Sequence, residues 1–99
     1  MNYKSYELFF EVFSNRTRMK IINSLLSGPK SVGEICSDTG EEQSKISHNL
    51  KKLMLCHFLD VERKGKNRIY HLNRATIKPM LRLVERHVKQ YCRGRCTRK

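Results

Sequence analysis

No apolar run in this chain approaches the ~20 consecutive residues of a membrane-spanning helix, so no membrane partner is expected. The opening MNYKSYELFF lacks a basic region followed by an uninterrupted apolar core. No signal peptide is therefore expected, and the reading places the protein in the cytoplasm. Carboxylates are scarce, with Asp+Glu at 9. There is no paired carboxylate cluster, no Gly-rich phosphate loop and no Ser/His/Asp arrangement, and the 4 scattered histidines build no site. An enzyme is not expected. No two of the 4 cysteines stand at the CxxC spacing of a zinc ribbon, which argues against a folding-essential zinc site. In a cytosolic chain those cysteines fit reduced, redox-active or metal-binding roles better than a disulfide framework. Internal repeats, low-complexity linkers and domain boundaries are also missing. One domain over residues 1–99 is expected, with about 92–99 as a basic, Cys-containing tail.

What is abundant is positive charge. Lys+Arg number 21, giving a net charge of +12 and a pI of about 10.0. Such an excess favours polyanions, and nucleic acid affinity should fall steeply with salt. The hydrophobic fraction of 38% is low for a self-sufficient domain of 99 residues, so dimerisation is expected to bury further apolar surface.

The stretch Glu42–Leu53, EQSKISHNLKKL, separates into two faces when wound as a helix. Ile46, Leu50, Leu53 and Met54 fall at i, i+4, i+7 and i+8, an apolar stripe for a core. Ser44, Ser47, His48 and Lys51 fall on the opposite side, flanked by Gln43, Lys45 and Lys52. Hydrogen-bonding groups with no carboxylate among them suit a helix lying in a major groove. An ordinary solvated face accounts for this helix alone equally well.

Its surroundings decide the matter. A first helix is expected over Tyr3–Phe13, where Tyr6, Phe9, Phe10 and Phe13 form an aromatic stripe that packs on its own domain or on a twin subunit. Ser14-Asn15 breaks it and caps Arg16–Leu26, which carries Met19, Ile22 and Leu26 on one stripe with Ile21 and Leu25 beside it. Gly28-Pro29 stops that helix. Ser31-Val32-Gly33-Glu34 fits a capping box opening a short helix to about Asp38, with Val32, Ile35, Cys36 and Thr39 inward. A short helix, a Gly-containing turn and a longer helix with a polar outer face is the layout of a helix-turn-helix. Leu59–Lys64 and Asn67–Leu72 then read as a β-hairpin turning at Gly65-Lys66. Its tip, Arg63-Lys64-Gly65-Lys66-Asn67-Arg68, reads as a wing gripping phosphate or the minor groove, against the plainer reading of a charge-protected edge. Asn73 is expected to cap a last helix running to about Arg93, with Ile77, Met80, Leu81, Val84, Val88 and Tyr91 at helical spacing. Pro79 either starts its regular part or kinks its first turn.

The fold class expected is mainly α with a β-hairpin wing: a winged helix-turn-helix. The order of elements, over about residues 8–91, resembles the ArsR/SmtB family of winged-helix repressors. Ser14-Asn15-Arg16-Thr17-Arg18-Met19-Lys20-Ile21-Ile22 is similar to the family's "ds-x-TR-x-x-IL". Gln43 through Leu53 resembles its recognition-helix pattern "S-x-x-S-x-HL-x-x-L". Arg63-Lys64-Gly65-Lys66 with Tyr70-His71-Leu72 resembles its wing "R-x-G-R-x-x-x-Y-x-L". The resemblance implies a homodimer paired through the first and last helices, with Tyr6, Phe9, Phe10, Phe13, Met80, Val84 and Val88 at the interface. Two recognition helices would then read a roughly palindromic double-stranded operator. By position Gln43, Ser44, Lys45, Ser47, His48 and Lys51 would serve the recognition helix, and Arg63, Lys64, Lys66 and Arg68 the wing. Sequence choice would rest largely on Gln43, Ser44, Ser47 and His48.

The resemblance leaves the inducer open, since the family senses metals, arsenicals, persulfides and other signals. Its arsenic/cadmium box, Glu-Leu-Cys-Val-Cys-Asp-Leu, meets Glu34-Ile35-Cys36-Ser37-Asp38-Thr39-Gly40 here, with Asp38 in place of the second cysteine. A lone thiolate is a poor soft-metal site, so Cys36 reads as a small buried hydrophobe. Its other site needs an Asp-x-His start that Thr76-Ile77-Lys78 does not provide. The remaining candidates are Cys92 and Cys96, at i and i+4 if the helix continues, with His87 and Cys56 as further ligands. Zn, Cu(I) or As(III) are the effectors such a site would take, and Arg93, Arg95 and Arg98 would favour the thiolate. If the helix frays at Gly94, a small-ring disulfide fits instead; a tail that simply touches DNA fits as well. Two competing functions stand beside the repressor: a constitutive or architectural DNA-binding protein, and a winged-helix module binding protein or RNA.

Overall fold

The computed structural model describes residues 2–92. Helix α1 (Tyr3–Phe13) begins at Asn2, whose side chain accepts from the Ser5 amide at 3.2 Å. Helix α2 (Arg16–Leu26) begins at Asn15, which accepts from the Arg18 amide at 2.9 Å. In each case a short polar side chain satisfies an amide that the first helical turn leaves without a partner. Strand β1 (Lys30–Ser31) follows, then α3 (Val32–Thr39) and α4 (Gln43–Leu55). The capping box of α3 is complete: Ser31 Oγ accepts from the Glu34 amide and Glu34 Oε1 accepts from the Ser31 amide. Gly40 ends α3 at φ 75°, in the left-handed region where glycine pays no Cβ penalty.

Helix α4 ends in a Schellman arrangement built without glycine. The Phe58 amide donates to the Leu53 carbonyl at 2.9 Å and the His57 amide to Met54 at 3.0 Å, while His57 takes φ 59°. The buried pair Leu53 and Phe58 supplies the accompanying hydrophobic contact. Asn73 locks this corner, its side chain donating to the His57 carbonyl at 2.9 Å and its amide to Phe58 at 2.9 Å.

Strands β2 (Leu59–Lys64) and β3 (Asn67–Leu72) form the expected hairpin. The sheet nevertheless has three strands, in antiparallel order β1-β3-β2, with Lys30 opposite Tyr70 and Ser31 opposite Ile69. β1 is too short to show a period-two pattern. The end of β3 breaks its alternation: Tyr70, His71 and Leu72 are all buried, His71 beside Leu25, Gly28, Pro29 and Lys78. Helix α5 (Ile77–Tyr91) starts later than expected. Asn73 does not cap it; Asn73 Oδ1 accepts from the Ala75 and Thr76 amides in the turn before it. Pro79 sits in the first turn, where an amide has no helical partner to lose.

One core gathers Ile21, Ile22 and Leu25 of α2, Ile35 of α3, Ile46, Leu50 and Leu53 of α4, Phe58, Leu59, Tyr70, Leu72, and Ile77 and Leu81 of α5. Met19, expected inward, is exposed. Phe9 and Phe13 lie against Phe58, with ring centroids at 5.2 and 5.1 Å. Tyr6 and Phe10 stay exposed, so the aromatic stripe of α1 divides between its own domain and open surface.

Candidate nucleic-acid interface

Helix α4 buries Ile46, Leu50 and Leu53 and turns Gln43, Ser44, Lys45, Ser47, His48, Lys51 and Lys52 to the surface. Amphipathic spacing alone enforces that division. One polar residue goes inward. Asn49 is 6% exposed, its Nδ2 donating to the Lys45 carbonyl at 2.9 Å and its Oδ1 accepting from Arg18 Nη1 at 3.5 Å. Arg18 also donates through Nε to the Val12 carbonyl of α1 at 3.1 Å. A single guanidinium thus ties α1 to α4, which accounts for the arginine in the Thr17-Arg18 pair. The family pattern quoted above sets its histidine on Asn49, with His48 one place early and exposed. The apolar neighbours Ile46 and Leu50 were the available signal that position 49 lies beside the core.

Carboxylates do stand at the head of α4. Ser44 Oγ donates to Glu42 Oε1 at 3.3 Å. Glu41 accepts from Lys20 at Oε2 (2.9 Å), and its Oε1 is 3.3 Å from Lys45 Nζ. Those two ammonium groups, Lys20 first, hold the Glu41 carboxyl below its ordinary range. A second cluster braces the turn behind: Lys30 pairs with Asp38 and donates to the Ser24 carbonyl at 2.6 Å, while Ser24 Oγ donates to Asp38 at 2.7 Å. Lys30 foremost, then Ser24, lowers the Asp38 carboxyl.

The wing's cations have no ion-pair partner among the described residues. Arg63 lies directly across the hairpin from Arg68, and Lys64 across from Asn67. Like charges opposite each other destabilise a hairpin by a few tenths of a kcal/mol or more. Among the described residues no ion pair involves Arg63, Lys64, Lys66 or Arg68, nor Lys51 or Lys52 of α4. Gly65 makes the turn at φ 63°. Helix and wing border a common groove of about 440 Å³, with Ser47, Lys51 and Arg68 at its edge and Leu50, Met54, Val61 and Tyr70 among its apolar lining.

Among the described residues the sensor candidates form no cluster of three. Cys36 is half-buried against the core, and Cys56 is exposed at the end of α4. His87 is exposed on α5 with its ring 4.9 Å from Tyr91, and Cys92 is half-buried at the end of that helix. Cys96 lies outside the described residues. Among the described residues no three His, Cys, Asp or Glu side chains come together to hold a metal ion. Of the residues expected between subunits, Phe9, Phe13 and Met80 pack against the core of their own domain. Tyr6, Phe10, Val84 and Val88 face outward. No helix among the described residues is long and apolar enough to cross a membrane.

Residues 15–60 match the model of the family "Bacterial regulatory protein, arsR family". No curated protein matches the chain. Among solved structures, M. tuberculosis Rv0081 is similar at 27% identity over 95% of each chain, with a TM-score of 0.84. The homodimeric winged helix-turn-helix DNA-binding domain of Mb0332 from Mycobacterium bovis, a possible ArsR-family regulator, is 19% identical with a TM-score of 0.78, covering 95% of this chain and 93% of that one. The transcriptional repressor BigR from Xylella fastidiosa is 23% identical with a TM-score of 0.71, covering 93% and 98%.

Proposed function

We propose, for a chain that carries an ArsR-family helix-turn-helix within a winged-helix fold, that it acts as a dimeric, sequence-specific DNA-binding repressor. The fold and family are those of DNA-binding transcription regulators and not of enzymes. The observation that carries the reading is the set of cations on α4 and the wing that have no ion-pair partner among the described residues, two of which, Lys51 and Arg68, line one groove. Phosphate would relieve the opposed Arg63 and Arg68, and each phosphate neutralised releases counterions. Wing contacts position the protein; Gln43, Ser44, Ser47 and His48 are the exposed groups suited to base edges.

A second copy is favoured by α5, whose residues from Arg82 to Tyr91 are all exposed although Leu83, Val84, Val88 and Tyr91 are large and apolar. Tyr6 and Phe10 of α1 are exposed as well, and apolar groups in such number are more than soluble monomers commonly leave uncovered. Two-fold pairing would set two recognition helices against two half-sites. The homodimeric state named for Mb0332 and the repressor role named for BigR support the same reading by analogy of fold.

The inducer we assign to thiol chemistry at Cys92 and Cys96, four residues apart among Arg93, Arg95 and Arg98, with Zn, Cu(I), As(III) or a thiol oxidant as the effector class. Fluorescence anisotropy on duplex from upstream of the protein's own gene tests both levels. Tight binding relative to random duplex and to RNA is expected, and loss of that preference refutes the repressor reading. Binding should be lost reversibly with one of the effectors, and a Cys92→Ser/Cys96→Ser variant should no longer respond. Indifference of the wild type to every effector would leave a constitutive DNA-binding protein.

A further inference from the structure

We propose that Glu41 is a positioning residue that keeps Lys45 off the DNA backbone, so that the first turn of the recognition helix meets the duplex without a free cation. The proposal rests on the DNA-binding reading above.

Glu41 sits in the turn between α3 and α4, its backbone fixed by its amide donating to Thr39 Oγ1 at 3.3 Å. Its side chain is 18% exposed against 53% for Lys45, so the carboxylate lies under the ammonium group and not beyond it. The two oxygens divide their work: Oε2 holds Lys20 of α2 and Oε1 holds Lys45 of α4. The carboxylate is therefore built into the joint between the two helices. Releasing Lys45 to a phosphate would leave Oε1 without its partner beside the polyanion, with Lys20 still on Oε2. The other cations of this surface, Lys51 and Lys52 on α4 and the four of the wing, have no such partner among the described residues. Evenly spread charge would serve phosphate binding at any sequence. Here the charge is withheld at the turn that carries Gln43 and Ser44, the uncharged groups fit for base edges, and left free at the flank and the wing. Non-specific affinity grows with every phosphate neutralised, whereas base contacts discriminate. Pairing Lys45 keeps the first from growing at the expense of the second.

The test is the salt dependence of duplex binding. Glu41→Gln keeps the shape of the side chain and removes its charge. In this variant the slope of log K against log salt on random duplex is expected to steepen by about 0.9, the increment of one phosphate contact. Affinity near physiological salt should rise roughly three- to fivefold. Adding Lys45→Met to Glu41→Gln should take the extra slope away. An unchanged slope in Glu41→Gln, or an extra slope that survives Lys45→Met, overturns the proposal. A measurement on the wild-type protein decides the matter even if the variant fails to fold. The Lys45 ammonium, observed by NMR in the duplex complex, should show no nitrogen–phosphorus scalar coupling; a coupling there overturns the proposal. Failure of the underlying reading looks different, because the wild type would then show no salt-dependent duplex affinity at all, and the proposal would fall with it.

Discussion

Replacing Asn49 by Ala removes the polar joint between α4 and Arg18 of α2. The side chain is 6% exposed and makes two bonds, 2.9 Å to the Lys45 carbonyl and 3.5 Å to Arg18 Nη1. The shorter bond contributes about 1 kcal/mol net, and the longer one about half that. The small void left by the amide adds about 0.5 kcal/mol. Against these stands the better helix propensity of alanine, roughly 0.5 kcal/mol. Arg18 is only half-buried, so water can satisfy part of its lost acceptor. The sum is a destabilisation of about 1–2 kcal/mol, a large fraction of the roughly 5–15 kcal/mol that holds a domain together. Thermal denaturation followed by circular dichroism should show Tm falling by roughly 5–15 °C. Protein concentration must be held fixed, because the proposed dimerisation would make Tm depend on it. Arg18→Ala should cost a similar amount, and the double variant less than the sum, because the two residues share one network. A loss below about 0.5 kcal/mol, or full additivity, would refute the claim that this pair joins α1 to α4.

Three further outcomes are expected. Lys64→Gln and Lys66→Gln should each lower the salt slope of duplex binding by about 0.9 and weaken all sequences alike. A change confined to the preferred sequence would show that the wing reads bases. His57→Gly should leave stability unchanged or raise it by up to about 1 kcal/mol, since glycine adopts φ 59° without the side-chain penalty; His57→Val should lower it, both read by urea denaturation. The third concerns acid. Asp38 and Glu41 have folded-state carboxyls below their ordinary values of 3.8 and 4.5, so their stabilisation is complete above those values. It is lost as pH falls through the lower folded-state values. Tm should therefore begin to fall below about pH 4.5, and Lys20→Met should flatten the part due to Glu41.

Much of this protein follows from local rules that a linear chain states openly. Asn15, Ser31 and Gly40 punctuate their helices because capping needs one side chain or one backbone conformation within three residues of a helix end. The two faces of α4 and the hairpin turning at Gly65 are periodicity and turn chemistry, and both lie where the spacing puts them. The charge excess and the basic tip are counted directly, and they favour a polyanionic partner. Tertiary structure decided what depends on partners distant along the chain. β1 exists only because β3 offers Lys30 and Ser31 a ladder. His71 is buried beside Leu25, Gly28, Pro29 and Lys78, residues distant along the chain that no alternation in β3 announces. Phe9 and Phe13 were separated from Tyr6 and Phe10 by the position of Phe58, 45 residues after Phe13. Asn49 became a joint because Arg18, 31 residues earlier, comes within reach of α4 only when the helices pack, and Glu41 meets Lys20 of α2 for the same reason. Local geometry is fixed by a few bonds of rotation, but which polar groups meet across helices depends on how the whole core closes.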